Sequence, residues 1–153
     1  MVNYPHIQAM WFILSTLASL FWGLTYAIDG QLLKNISVPT MIATHALIIS
    51  LVAGVLAYSS GTFKDDLTTI ASSRSLFFLV LAGMFTFIVA ELLIWYSIAE
   101  SNASLAALVE ISYPIFTVLF AYILFKEAQI SIMSAVGGAF IFVGVAIIYW
   151  FNS

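Results

Sequence analysis

Residues 75–125 read SLFFLVLAGMFTFIVAELLIWYSIAESNASLAALVEISYPIFTVLFAYILF. Two apolar stretches, 75–99 and 101–125, meet at the short polar junction Glu100-Ser101-Asn102-Ala103. Each is longer than the ~20 residues that cross ~30 Å of hydrocarbon as a helix. The segment contains no Lys or Arg, and two of its acids, Glu91 and Glu110, lie inside the apolar stretches. The reading is a pair of membrane-spanning helices turning near Ser101 as a tight antiparallel hairpin, with an acid in each arm.

Working outward, the same pattern recurs at 7–28, 39–60 and 128–151, which makes five candidate spans. The chain is 63% hydrophobic, with four Lys and Arg and seven Asp and Glu among 153 residues. Its mean hydropathy is +1.13. So little polar surface cannot cover a water-soluble fold, so lipid must cover it. The fold expected is all-α, integral to the membrane and multi-pass, with the lipid bilayer as its first partner. Nucleic-acid binding has no basic domain to reside on, and the net charge of −3 argues against it. Cysteine is absent, which removes disulfides and thiolate sites. The first stretch has no basic n-region and is too long for a signal-peptide core, so it reads as a retained helix.

Tyr4 and Trp11 near the first start, and Tyr149 and Trp150 near the last end, suit aromatic anchoring at the two interfaces. With the N-terminus inside, Lys64, Arg74 and Lys126 are cytoplasmic and Lys34 is outside, a weak bias of three to one. The connection 61–74 is the longest. Its Lys64-Asp65-Asp66-Leu67 reads as solvated turn chemistry in preference to a short interfacial helix. Small residues recur every fourth position at Ser15, Ser19, Gly23 and Ala27, and at Ser131, Ala135 and Ala139. Such seams let helix backbones approach where lipid removes the hydrophobic drive for association.

Glu91 precedes Ser101 by about as many residues as Glu110 follows it. At ~1.5 Å per residue, both acids are expected roughly 14 Å below one surface. The same count from a first turn near Asn35 puts His45 at that level. A charge at mid-bilayer costs several kcal/mol, so such groups face the bundle interior or water and have partners. They mark a substrate or proton site, or else they join helices by hydrogen bonds. Asp29 and Glu100, near the outer surface, are expected to be solvated.

The fourth stretch carries the most detail. Ala103, Ala107, Glu110, Pro114, Thr117 and Ala121 form one stripe of small or polar residues, which reads as a cavity wall. Pro114 has no N–H for the Glu110 carbonyl, so the helix ladder breaks beside the acid. Broken helices at the midplane are what transporters use for sites and hinges. Trp22, Trp95 and Tyr113 are aromatic candidates for an apolar or cation-accepting pocket. No phosphate-cradling Gly loop, HExxH or Ser–His pairing is present, so neither an enzyme nor a cofactor or metal is expected.

Five segments, in this order, resemble the EamA-type half of the drug/metabolite transporter superfamily over 1–153. They are Leu20-Phe21-Trp22-Gly23-Leu24-Thr25, Ala103 to Ala107, Pro114-Ile115-Phe116, Phe125-Lys126-Glu127, and Gly137-Gly138 with Val143-Gly144-Val145. The resemblance implies a single five-helix domain, one half of an inverted-repeat fold that is usually fused from two repeats around a central cavity. It also implies movement of small molecules (metabolites, amino acids or drugs, by efflux or exchange), and a prokaryotic inner or cell membrane. Where family members often carry an Arg in the second helix, this sequence has Ala43-Thr44-His45. One repeat has no internal partner, so a second five-helix copy of opposite orientation is expected, as a homodimer or a paired subunit. The alternative is a non-transporting membrane subunit or assembly factor whose acids are structural.

Overall fold

The computed structural model describes residues 5–127 and 131–152, with side chains described from Met10. Tyr4, residues 128–130, which hold the expected start of the fifth stretch, and Ser153 lie outside the described residues. The described chain is helical throughout: α1 (Pro5–Leu32), α2 (Val38–Ser59), α3 (Phe63–Ser72), α4 (Arg74–Glu100), α5 (Ala103–Glu110), α6 (Tyr113–Phe120), a π-helical turn (Ala121–Phe125) and α7 (Ile132–Asn152). Five segments are long and apolar enough to span a membrane: Met10–Leu32, Val38–Ser59, Arg74–Glu100, Ala103–Phe125 and Ile132–Asn152. Almost every large apolar side chain on them is exposed. In water that surface would be ruinous, whereas in hydrocarbon it is the solvated face.

The spans agree with the expected ones except at their ends. α1 continues to Leu32, four residues past the expected stop, and α7 is helical only from Ile132. The connection 61–74 departs further. It holds α3, where turn chemistry was expected. Asp65 and Asp66 occupy the first turn of α3, where carboxylates complement the exposed N–H groups and the helix dipole. The Thr62 hydroxyl donates to Asp66 Oδ2 at 2.8 Å, fixing that first turn. Gly61, with φ +77°, supplies the left-handed residue that closes α2 before α3 begins, and its N–H reaches the Tyr58 carbonyl at 3.3 Å.

The chain divides into two compact units, residues 31–100 and residues 1–30 with 101–153. In the first, α4 is one uninterrupted helix in contact with both α2 and α3. Ser37 and Pro39 open α2, where a proline's missing N–H costs nothing. In the second unit, α7 contacts α5 and α6. The Asn102 side chain caps α5 by accepting from the Leu105 N–H at 2.9 Å. α5 then stops at Glu110, and α6 starts at Tyr113 with Pro114 in its first turn. The intervening backbone tightens: the Ser112 N–H donates to the Val109 carbonyl at 3.2 Å, and the Ile115 N–H to the Ser112 carbonyl at 3.1 Å. The interruption falls where the absent Pro114 N–H requires it. The fourth span ends at Phe125 and is capped by Lys126, the one non-glycine residue with positive φ among those described, at 59°.

Candidate functional site

Each unit holds one intramembrane glutamate with an aromatic donor. In the unit of residues 31–100, Glu91 and Trp95 stand one turn apart on α4. The Trp95 Nε1–H donates to Glu91 Oε2 at 2.6 Å. Trp95 is 1% exposed, and the His45 ring of α2 meets it edge-on at 6.0 Å between centroids. Three of the residues singled out from sequence, His45, Glu91 and Trp95, thus form one cluster.

In the other unit, Glu110 is the last residue of α5, at the backbone interruption. Its Oε2 accepts a hydrogen bond from the Tyr26 hydroxyl of α1. Trp22, one turn before Tyr26, places its ring 5.7 Å from the Tyr26 ring. Trp22 is itself 52% exposed. It therefore flanks the acid's donor and does not wall in the acid. Pro114 sits at the interruption and lines a groove between α6 and α7 of about 670 Å³, with Ile115, Val118, Ser134, Gly138 and Phe142. The approach is closest at Gly138, where a Cβ would meet Ile115 Cγ1 at 3.5 Å. Tyr113 is 62% exposed, and the Thr117 hydroxyl donates back to the Tyr113 carbonyl at 3.2 Å. Tyr113, and Thr117 of the small-polar stripe, thus belong to the span and its local backbone bonding.

Two residues depart from the sequence reading. Tyr26 went unrecognised although it supplies Glu110 with its donor. The available signal is its place one turn after Trp22, as a phenol whose hydroxyl is too long to bond back to its own helix as the Thr16 and Ser19 hydroxyls do. Asp29, expected to be solvated, is 2% exposed and is the one buried residue among the described side chains of α1. Nearness to a helix end in sequence does not make a side chain wet when neighbouring chain covers it. Glu100 is exposed as expected.

Five lipid-compatible spans, two partly buried glutamates within them and a helix broken beside one of those acids define a multi-pass integral membrane protein. More particularly, the chain belongs to the EamA-like transporter family, which matches it over residues 9–150. Members of that family are membrane transporters of small molecules, and the segments that carried the resemblance all lie within the matched residues. No curated protein and no solved structure matches the chain.

Proposed function

We propose that this chain is a half-size transporter of small molecules, in a prokaryotic inner or cell membrane, that works with a second five-helix copy of opposite orientation. Glu110 is the acid that exchanges a proton or a substrate group. Glu91 is a second acid, held by a donor on its own helix. The observation that carries the reading is the Tyr26–Glu110 hydrogen bond at the Pro114 interruption. It joins two helices through a titratable group at the point where the backbone is weakest, so a change in the acid's protonation or ligation is coupled to the angle between them.

An inverted second copy would supply the opposite gate. Two features favour it. A Cβ at Gly23 or Gly137 would meet no described atom within 4 Å, so the small-residue seams on α1 and α7 have room for another helix. The weak three-to-one basic bias also permits insertion in both orientations. The competing reading, a non-transporting subunit with structural acids, draws on the rigid Glu91–Trp95 pair.

The test is uptake into proteoliposomes containing only this protein. A panel of radiolabelled amino acids and the dye ethidium would be offered across an imposed pH gradient. The proposal expects uptake of at least one probe with the parent and none with Glu110→Gln at equal folded protein. Parent-like uptake and pH dependence in that variant would make Glu110 structural and overturn the site. Disulfide trapping between two copies, with cysteines introduced at Gly23 and Gly137, tests the inverted dimer: trapping of parallel pairs alone would refute it.

A further inference from the structure

We propose that Asp29 is the proton-access residue for Glu110, with Tyr26 as the relay between them. This deepens the proposed site and rests on it. Two independent observations carry the route. The first is the direct bond from the Tyr26 hydroxyl to Glu110 Oε2. The second is the burial of Asp29, 2% exposed on a helix whose other described side chains are at least partly exposed.

Asp29 follows Tyr26 by three residues. Side chains at that spacing are neighbours on one helix face, with Cβ atoms roughly 5–6 Å apart. At ~1.5 Å per residue, Asp29 lies roughly 5 Å and Tyr26 roughly 9 Å from the end of α1 at Leu32. The order along the helix is therefore helix end, Asp29, Tyr26, and the Tyr26 hydroxyl already touches the acid of α5. Trp22, the next residue on this face, has no titratable oxygen, so the line stops at Glu110. Among the described side chains of this unit, the remaining titratable groups are Tyr113 at the start of α6, Tyr122, Lys126 and Glu127 far along the fourth span, and Tyr149 near the end of α7. None of them is placed between Asp29 and Tyr26 along α1.

The step balances without another reactant. Hydronium arriving at the end of α1 gives its proton to the Asp29 carboxylate when local opening uncovers it, and leaves as water. Asp29 passes it to the Tyr26 oxygen, directly or through one bridging water, as the phenolic proton of Tyr26 moves to the Glu110 carboxylate. Tyr26 ends neutral, Asp29 is again a carboxylate, and Glu110 is a carboxylic acid. Rotation of the phenol hydroxyl resets the relay. Chains of this kind are the common use of buried acids inside membranes.

The test needs no knowledge of the transported solute, because D2O is the probe. Membranes containing the protein are switched from H2O to D2O, and carboxyl deuteration is followed by time-resolved infrared difference spectroscopy. The Glu110 band is the one lost in Glu110→Gln. Asp29→Asn and Tyr26→Phe are each expected to slow deuteration of that band by about tenfold or more, while Asp29→Glu, which keeps an acid at the position, stays near the parent rate. A structural role for Asp29 would not distinguish Asn from Glu through the exchange rate of a different residue. Parent-rate deuteration of Glu110 in Asp29→Asn, or in Tyr26→Phe if the first variant does not fold, overturns the route and leaves the Glu110 site standing. Loss of no carboxyl band in Glu110→Gln overturns both, since Glu110 then carries no exchangeable proton.

Discussion

The two intramembrane glutamates are chemically identical and structurally opposite. Glu91 lies inside an unbroken helix, and its donor, Trp95, is one turn further along the same helix. Any rigid movement of α4 carries acid and donor together, so the bond survives it. Glu110 ends a helix, and its donor is 84 residues away on α1. Relative movement of those two helices must stretch or break that bond. The donors differ as well: an indole N–H only donates, whereas a phenol donates and accepts and so can pass a proton on. One acid is therefore anchored within its own helix, the other is tied across two helices and is the responsive one in the proposed function, so substitutions at each should differ in kind.

The largest difference is expected in transport. Glu110→Gln keeps volume and hydrogen-bonding capacity but removes the titratable proton, so pH-driven uptake should fall to background. Glu91→Gln still accepts from the Trp95 indole and should keep measurable uptake. Side-by-side proteoliposome rates at equal folded protein check this. Equal losses in the two variants would mean that the anchored and the responsive acid are one functional unit, and the contrast would disappear.

The second difference is in stability. Trp95→Ala deletes a side chain that is 1% exposed and leaves Glu91 without its indole donor. Soluble cores lose about 3–5 kcal/mol for such a truncation, and that is an upper bound here because surrounding lipid removes the water-transfer part. Thermal unfolding in detergent should show Trp95→Ala as the least stable variant of either cluster. An unchanged transition would show that Trp95 contributes little to holding α2 and α4 together.

The third contrast is smaller. Tyr26→Phe removes one interhelical hydrogen bond, and bonds of this kind in membranes average about 0.6 kcal/mol with a maximum near 1.7. The stability loss should therefore be slight while the pH dependence of uptake changes, a separation that a purely structural bond would not produce. A loss as large as that of Trp95→Ala, with the pH profile intact, would place Tyr26 with the anchors.

Much of this is legible in the amino-acid sequence. Hydropathy located five spans because crossing hydrocarbon leaves a helix few alternatives, and Pro114 located the interruption because a missing N–H acts on the residue four positions back. Partners were legible only when they were local: Trp95 is one turn from Glu91, whereas nothing in α5 points to Tyr26 at a separation of 84 residues. α3 was misread because Lys64-Asp65-Asp66 looks like solvated turn chemistry, and the same acids that suggest a turn also suit a helix N-terminus. Asp29 was misread because burial depends on what covers a position, which its distance from a helix end does not report.

The smallest effect should come from His45, and its size tells whether the anchored cluster has a titratable member. His45 meets Trp95 edge-on at 6.0 Å, a geometry that a benzene ring reproduces. Aromatic pairs of this kind contribute about 0.5–1.5 kcal/mol beyond area burial, and His45→Phe keeps the ring while removing both nitrogens. If His45 serves only as an edge against the indole, the variant should unfold within about 1 kcal/mol of the parent, and uptake should keep its pH dependence. If the imidazole instead exchanges protons with the transported solute or with Glu91, stability would still be near that of the parent but the pH profile of uptake would change. The measurement is the uptake rate from pH 5 to 8, the range in which an unperturbed imidazole changes charge. An altered profile would move the His45, Glu91 and Trp95 cluster from anchor to participant. An unaltered one would leave Glu110 as the proton-handling acid and sharpen the division between the two units.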